Sequence, residues 1–597
     1  MAIDHDGMPG MRAIAPLAPT VVPGARRVLR ATLSRIDGWG QRAWREIMGP
    51  WRLSAGVLVL SALEGGVDGV EDPHLVNAIL VLPEHGLGGD ATDATATCDW
   101  VLREAWRRLV PRALVPCTTY RPQSVVRAHN ACWLQQGQLH LRLLVRLPFA
   151  GMCCDGRRFG RFLRQLERFA ATLVLRRARP SLARLRRCVR IQGRLRSALG
   201  SHGLVAFLGD GSRLARSHGS DGGRGVDSDR AASACRALRA PARLRVTIDL
   251  GPDGRFHGLG IPRGVTAIVG APYHGKSTLL SALAAGRDDH VPGDGRELVV
   301  AVADAVVVQS EEGRRIKHQD VSGFFARLPG SSSTDFSTER ASGATSMAAS
   351  LLQGCAGGAT LLLIDEDTAA ANFLAIDPTM RRLLQGQLSG TVGLLESLRG
   401  LAEHGLSTVL VAGASSAALE AAERVVLMQH FTPSDASARV RRLLRSRPAQ
   451  ARVPRGGQAH ARMLTRTQRR FHDDPDCLLG PRHFLQVDAT EPERPRLVGP
   501  GPGAALPVDL RRCGWTLDRE LARGACVAAA WCCRLAERGM SLRELKLRYE
   551  AFLAARGATG LDPFHTQILA VPPWQLVVTV LERLPTPRLM SRGGGRH

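Results

Sequence analysis

The sequence predicts an α/β chain whose centre is a parallel sheet covered by helices on both faces. An α+β domain precedes that centre and a small, mainly helical domain follows it. Three observations carry this reading. VTAIVG (265–270), ATLLLIDE (359–366) and STVLVAG (407–413) are continuous apolar runs with the length of buried parallel strands. Helix-length segments separate them, which is the alternation of a doubly covered sheet. Outside the centre the pattern changes, to strand-like runs on the amino-terminal side and helical runs on the carboxy-terminal side.

In chain order, residues 1–28 are rich in Gly, Pro and Ala and are expected to be mobile. Arg12, Arg26, Arg27 and Arg30 suit a mitochondrial targeting segment, while Asp4 and Asp6 speak against one. Residues 29–240 are expected to form the amino-terminal domain. Within it LSAGVLVLSAL (53–63) and NAILVLP (77–83) read as strands, and QLHLRLLVRLP (138–148) alternates as a half-buried strand should. The Gly/Ser/Asp-rich stretch 217–229 reads as a loop, and RLRVTIDL (243–250) as the next strand. Residues 241–445 form the α/β core. Residues 446–506 read as a basic, Pro/Gly-rich linker region: 439–470 carries many arginines and no acid and reads as a linker or a nucleic-acid arm, and GPGPGAALP (499–507) is a second linker. Residues 507–585 read as the helical carboxy-terminal domain.

Composition narrows the function classes. The 597 residues carry a formal net charge of +26, and no uninterrupted apolar run is long enough to span a membrane. A chain with its own membrane channel is therefore not expected; the expected setting is intracellular and soluble, mitochondrial or cytosolic. The 13 cysteines form no pair of CxxC knuckles, which disfavours a zinc ribbon and fits reduced thiols. Lysine occurs only at Lys276, Lys317 and Lys546, so arginine supplies nearly all of the 80 basic residues. That skew reflects codon usage; the excess charge does not, and it points to an anionic partner, most commonly nucleic acid.

GAPYHGKS (270–277) fits G-x-x-x-x-G-K-[ST] and lies between a strand and the helix-like STLLSALAAG. Glycines let backbone amides close around phosphate oxygens, and the helix N-terminus adds positive potential. Gly270, Tyr273, His274, Gly275, Lys276, Ser277 and Thr278 are the expected nucleotide-binding residues. Lys276 neutralises the β and γ oxygens, and Ser277 ligates Mg²⁺. ATLLLIDED (359–367) ends a strand on Asp365, a second Mg²⁺ ligand. Glu366 follows, placed to polarise the attacking water. ATP or ADP with Mg²⁺ is thus the expected ligand, and Glu366 and Lys276 are the catalytic candidates. ASGATSMAASLLQG (341–354) opens a helix on a small-residue turn shortly before this strand. It is similar to the signature of ABC-type ATPases, in which one subunit clamps the γ-phosphate held by the other; Ser342, Gly343 and Ser346 are then the donors.

The stretch 156–196 carries many arginines against one acid, Glu167. Phe162, Leu163, Leu166 and Phe169 recur at helical spacing and are expected in a core, although interleaved aromatics also suit base stacking. Arg176, Arg177, Arg179, Arg184, Arg186 and Arg187 are the candidate nucleic-acid contacts.

These segments together resemble the family described as predicted ATPases of the ABC class. The resemblance rests on GAPYHGKSTLL, DHVPGDGRE (289–297), DFSTERASGATS (335–346) and LLLIDEDTAAANFLAID (361–377). It extends to RIDGWGQRAWREIMG (35–49), GLVAFLGDGSRLAR (203–216), TLDRELARGACVAAA (516–530) and GLDPF (560–564). The family occurs in bacteria and includes a kinetoplastid mitochondrial RNA-editing factor. The resemblance implies a P-loop NTPase core of ABC-ATPase type between two further domains. It also implies a soluble homodimer with a basic central pore that binds RNA, without membrane domains, and a place in a larger RNA-processing complex. Where the family loop reads GGGYHGKS, this chain has Ala271 and Pro272, and proline removes an amide donor. Ala414 and Ser415 stand where ABC proteins carry a switch histidine, and the family shares that departure. The Q-loop glutamine is either Gln309 or Gln319.

Three functions follow. The leading one is an ATPase that couples nucleotide state to bound RNA or single-stranded nucleic acid, with slow turnover. The second is a nucleotide-stabilised RNA-binding scaffold with little hydrolysis. The third, a transporter subunit, leaves the amino-terminal domain and the basic segments without a role.

Overall fold

The computed structural model describes residues 24–63, 74–83, 90–174, 180–215, 236–328, 330–384, 390–413, 415–446, 469–471, 486–498, 505–563, 565–584 and 589–591.

The amino-terminal domain is a six-stranded antiparallel sheet. Helix α1 (Arg26–Arg35) leads into β1 (Gly49–Arg52), β2 (Val57–Ala62) and β3 (Leu75–Pro83), then α2 (Ala91–Arg108). Next come β4 (Cys117–Thr118), β5 (Cys132–Gln135) and β6 (Gln138–Arg146). The order is β1–β2–β3–β6, and both β4 and β5 pair with β6. Helices α3 (Gly156–Val174) and α4 (Pro180–Ala198) follow. Phe159, Phe162, Leu163, Leu166 and Phe169 of α3 enter the core, as their spacing predicts.

Strand β6 departs from its half-buried expectation. The alternation is real, but both faces are covered, because a carboxy-terminal segment lies on the polar one. Arg142, fully buried, donates to Asn77 Oδ1 (2.8 Å), to the carbonyl of Gln567 (2.6 Å) and to that of His565, and stands 3.7 Å from Asp562. Trp133 is stacked between His140 and His565, with ring centroids 4.9 and 5.3 Å away. Burial pushes His565 down to about 3 and His140 down to about 4, so both imidazoles are neutral.

The core contains two sheets. The first is antiparallel, in the order β8–β9–β7–β11, built from β7 (Leu204–Gly209), β8 (Arg245–Asp249), β9 (Arg255–Pro262) and β11 (Val299–Ala301). The second takes β10 (Val265–Val269), β12 (Val306–Val307), β15 (Leu361–Asp365), β16 (Ser407–Ala412), β17 (Arg424–Gln429) and β18 (Thr432–Asp435). Its order is β12–β15–β16–β10–β17–β18, parallel except for β18. A hairpin, β13 (Ile316–Gln319) with β14 (Phe336–Thr338), lies outside both. A domain boundary at 240 does not hold: β7 sits between β9 and β11, so the core begins before residue 241.

Helix α5 (Lys276–Ala285) covers one face of the parallel sheet, and α6 (Gly343–Ala356) with α7 (Leu394–Glu403) the other. Strand periodicity makes this explicit. Leu361 and Leu363 of β15 pack with Leu279 and Leu283 of α5, whereas Leu362 and Ile364 pack with Met347 and Leu351 of α6.

The reading of 446–506 as linker also needs correction. Arg469–Phe471 pairs with Leu589–Ser591, while β19 (Gln486–Asp488), β20 (Arg496–Val498) and β21 (Ala505–Pro507) form a three-stranded sheet. Val487 and Leu497 join the core of the carboxy-terminal helices α8 (Arg519–Leu535), α9 (Leu542–Arg556) and α10 (Trp574–Leu581). Among the described residues no helix is long and apolar enough to cross a membrane.

Candidate nucleotide site

The loop after β10 opens at the carboxyl edge of the parallel sheet, where open α/β sheets place their ligands. Its two glycines are sterically required. Gly270 has φ 151°, and a Cβ there would lie 2.4 Å from the carbonyl oxygen of Met428 on β17. Gly275 has φ 95°, and its Cβ would lie 2.7 Å from the ring of Phe431. Gly275 caps α5 with no side chain, so the first-turn amides open onto the loop. Ala271, Pro272 and Tyr273 are exposed, His274 and Thr278 half-buried, and Ser277 exposed in the first turn.

Lys276 is buried and folds back, its Nζ donating to the carbonyl of Ala271 (3.1 Å). It forms no ion pair among the described residues. A buried ammonium without an anion is costly, and phosphate oxygens would supply one.

Sheet register brings the acidic pair to the same place. Asp365 pairs with Val411 of β16, and Val411 with Ile268 of β10. Asp365 is therefore level with the end of β10 and two strands over, about 10 Å across the sheet. It is buried, accepts from the Asp367 amide (3.2 Å) and meets no cation among the described residues. Glu366 Oε2 accepts from the amide of Gly413 at the end of β16 (2.6 Å), which draws the carboxylate toward the loop strand. Ser277 and Asp365 are a hydroxyl and a carboxylate, hard oxygen donors that fit Mg²⁺ completed by water and phosphate. Ala414 lies outside the described residues; Ser415 precedes a short helix and makes no capping bond.

Ser342 is exposed and caps α6, accepting from the Thr345 amide (3.3 Å), with Gly343 half-buried beside it. Ser346 is different. It is fully buried; its hydroxyl donates to Gly343 O (2.8 Å) and accepts from the Glu311 amide (3.0 Å). It braces the turn and is not presented to a ligand. Because α5 and α6 cover opposite faces, the sheet stands between the helix that Ser342 caps and the helix that Lys276 begins.

Of the two glutamines, Gln309 stands just beyond β12, beside the end of β15, while Gln319 is buried in the β13–β14 hairpin. Gln309 Nε2 donates to the carbonyl of Arg512 in the carboxy-terminal domain (2.6 Å). Near it, the guanidinium of Arg287 donates to Gly514 O (3.0 Å) and lies 3.6 Å from the Trp515 ring centroid. Glu311 takes Arg314 (3.1 Å), Ser350 of α6 (2.9 Å) and Arg583 beyond α10. Sequence reasoning did not reach this carboxy-terminal contact, because its partners are over 200 residues apart.

Among the candidate nucleic-acid residues, Arg176, Arg177 and Arg179 lie outside the described residues. Arg184 and Arg187 are exposed on α4, whereas Arg186 is tied to Thr97 Oγ1 (2.7 Å). Further along α4, Arg194 and Arg196 pair with Asp253 and Asp289. Arg161, Arg164 and Arg168 of α3 are exposed with no acidic partner among the described residues. Their spacing, opposite the buried phenylalanines, was visible in the sequence.

Residues 179–463 match the model of the ABC_ATPase family, described as a P-loop domain. An uncharacterised protein of Methanocaldococcus jannaschii is 33% identical over 186 residues, which cover 30% of this chain and 41% of the relative. The chain thus matches less than half the length of that relative. Among solved structures, CbiO1 of Clostridium perfringens, part of the ABC transporter complex CbiONQ, overlaps 41% of this chain and 92% of its own, at 14% identity and TM-score 0.24. A bacterial Atm1-family ABC exporter with ATP bound overlaps 50% of each chain at 14% identity and TM-score 0.22. Overlaps this slight carry no weight for function. The family match, the loop geometry and the Asp365–Glu366 register agree: residues 179–463 form an ABC-class P-loop ATPase domain.

Proposed function

We propose that this chain binds ATP with Mg²⁺, hydrolyses it slowly as a homodimer, and uses the nucleotide-dependent closure to act on RNA or single-stranded nucleic acid. The observation that carries the reading is the pair of charges at one sheet edge that meet no opposite charge among the described residues: buried Lys276, and Asp365 two strands away. The ammonium of Lys276 binds the β and γ oxygens, and the first-turn amides of α5 hold the remaining phosphate oxygens. Ser277 and Asp365 would hold Mg²⁺, which offsets phosphate charge. Glu366 orients the attacking water and accepts its proton at Oε1 or Oε2.

The dimer is supported by the opposed placement of α5 and α6, which makes Ser342 and Gly343 available to the nucleotide of a second copy. The nucleic-acid partner is supported by the +26 charge and by the exposed Arg161, Arg164, Arg168, Arg184 and Arg187. The second reading, a nucleotide-stabilised scaffold, draws on Pro272, which removes one amide from the loop. Steady-state ATP hydrolysis by the purified full chain, with and without single-stranded RNA and over a range of protein concentrations, tests both. Turnover that rises with protein concentration and with RNA supports the first. RNA binding without turnover supports the second.

A further inference from the structure

Beside the phosphate loop stands the turn joining β17 to β18. His430 and Phe431 both adopt left-handed φ, 47° and 62°, unusual for side chains of this size. The turn is held in that shape. Phe431 N–H donates to His274 O (3.2 Å), and His430 N–H donates to His274 Nδ1 (2.8 Å). The two imidazole centroids are 4.7 Å apart, and the Arg236 guanidinium donates to His430 O (3.1 Å). The effect is to set the Cδ1–Cε1 edge of the Phe431 ring against Gly275 while half of the residue stays in solvent. A cavity of about 360 Å³, lined by Arg236, Ala237, Arg239 and Thr432, opens next to it.

Strained backbone that survives is over-determined by its surroundings, and it clusters where ligands are clamped. A nucleotide whose phosphates occupy 270–278 must lay its base outside the loop, on a surface that tolerates a flat apolar face. Tyr273 is 96% exposed, so its ring is not held in place by packing among the described residues. Phe431 is held along one ring edge and is half exposed.

We infer that Phe431 is the base platform of this site. The base of the bound nucleoside triphosphate stacks on the exposed part of the ring, and the ribose reaches toward the cavity lined by Arg236, Arg239 and Thr432. The inference rests on the ATP reading above and adds the base and ribose to a site so far defined by phosphates. Stacking on a phenyl ring does not discriminate between purines, so ATP and GTP are held alike.

Calorimetric titration of the full chain with Mg·ATP and with inorganic tripolyphosphate tests it, because the second probe has phosphates and no base. Phe431→Ala should weaken ATP roughly tenfold, the loss of one base–aromatic stack, and leave tripolyphosphate binding unchanged; Phe431→Tyr should restore ATP. Wild-type ATP affinity in Phe431→Ala overturns the platform. So does an equal fall for both probes, which means that the ring only props the loop. If the wild-type chain binds neither probe, the nucleotide reading itself fails, and the platform with it.

Discussion

Replacing Arg583 by Met tests whether the carboxy-terminal domain holds residues 309–316 and α6 in place. Arg583 is buried and pairs with Glu311, and its Nη1 donates to Thr579 O (3.0 Å). Breaking a buried pair by removing one partner costs about 3–5 kcal/mol, because the other charge stays buried. Here Glu311 keeps Arg314 at 3.1 Å and Ser350 at 2.9 Å. The loss therefore sits at the lower end, about 3 kcal/mol. Hydrogen–deuterium exchange reads it locally: amides of 309–316 and of α10 should exchange roughly a hundredfold faster, at 1.36 kcal/mol per factor of ten.

Acidity adds a second signature. Burial alone would raise the Glu311 carboxyl, but the guanidiniums of Arg583 and Arg314 outweigh it and hold it below its ordinary value of 4.5. A carboxyl depressed in the folded state contributes stability above its unfolded value and loses it as pH falls through the folded one. Wild-type protection should therefore drop below about pH 4.5, and the variant should lose less across the same window. Protection unchanged within threefold at pH 7 would refute this bracing role of Arg583.

Lys276→Ala should abolish ATP binding or weaken it severely, since amides alone do not balance the phosphate charge; unchanged affinity in a nucleotide titration removes this loop from the site. Glu366→Gln should bind ATP normally and stop turnover, trapping a closed dimer visible by light scattering, whereas hydrolysis at the wild-type rate would exclude Glu366 as the base. Ser342→Arg should prevent that closure without weakening ATP binding to the monomer, and closure that persists would remove Ser342 from the interface. Exchanging Arg161, Arg164, Arg168, Arg184 and Arg187 for Gln should flatten the salt dependence of single-stranded RNA binding by about 0.7 for each phosphate no longer neutralised and leave ATP binding intact. An unchanged slope would refute a role for these arginines.

What was legible in the sequence was local. GAPYHGKS announces its loop because the chemistry, the glycines and the helix start are all within eight residues. The apolar runs of β10, β15 and β16 announce a sheet because each strand is buried on both faces. What failed was long-range. QLHLRLLVR alternates and so reads as half-exposed, but its polar face receives a segment more than 400 residues away. Gln309 and Gln319 were indistinguishable by type; only strand order separates the one beside β15 from the one in a hairpin. Short strands in 486–507 were hidden by Pro, Gly and Arg, because three-residue strands carry almost no periodicity.

The segment lying on β6 also sets an order of events during synthesis. Asn130 accepts from the Leu569 amide (2.9 Å), a hydrogen bond between positions 439 residues apart. At about 5–20 residues per second, the ribosome needs roughly 20–90 s to deliver the second partner after the first. During that interval Asn77, Asn130 and Arg142 face water instead of the carbonyls of His565 and Gln567 to which they finally donate, and Trp133 has one stacking partner instead of two. The sheet is made well before the segment that covers it, so the nascent chain carries an open sheet face throughout that interval.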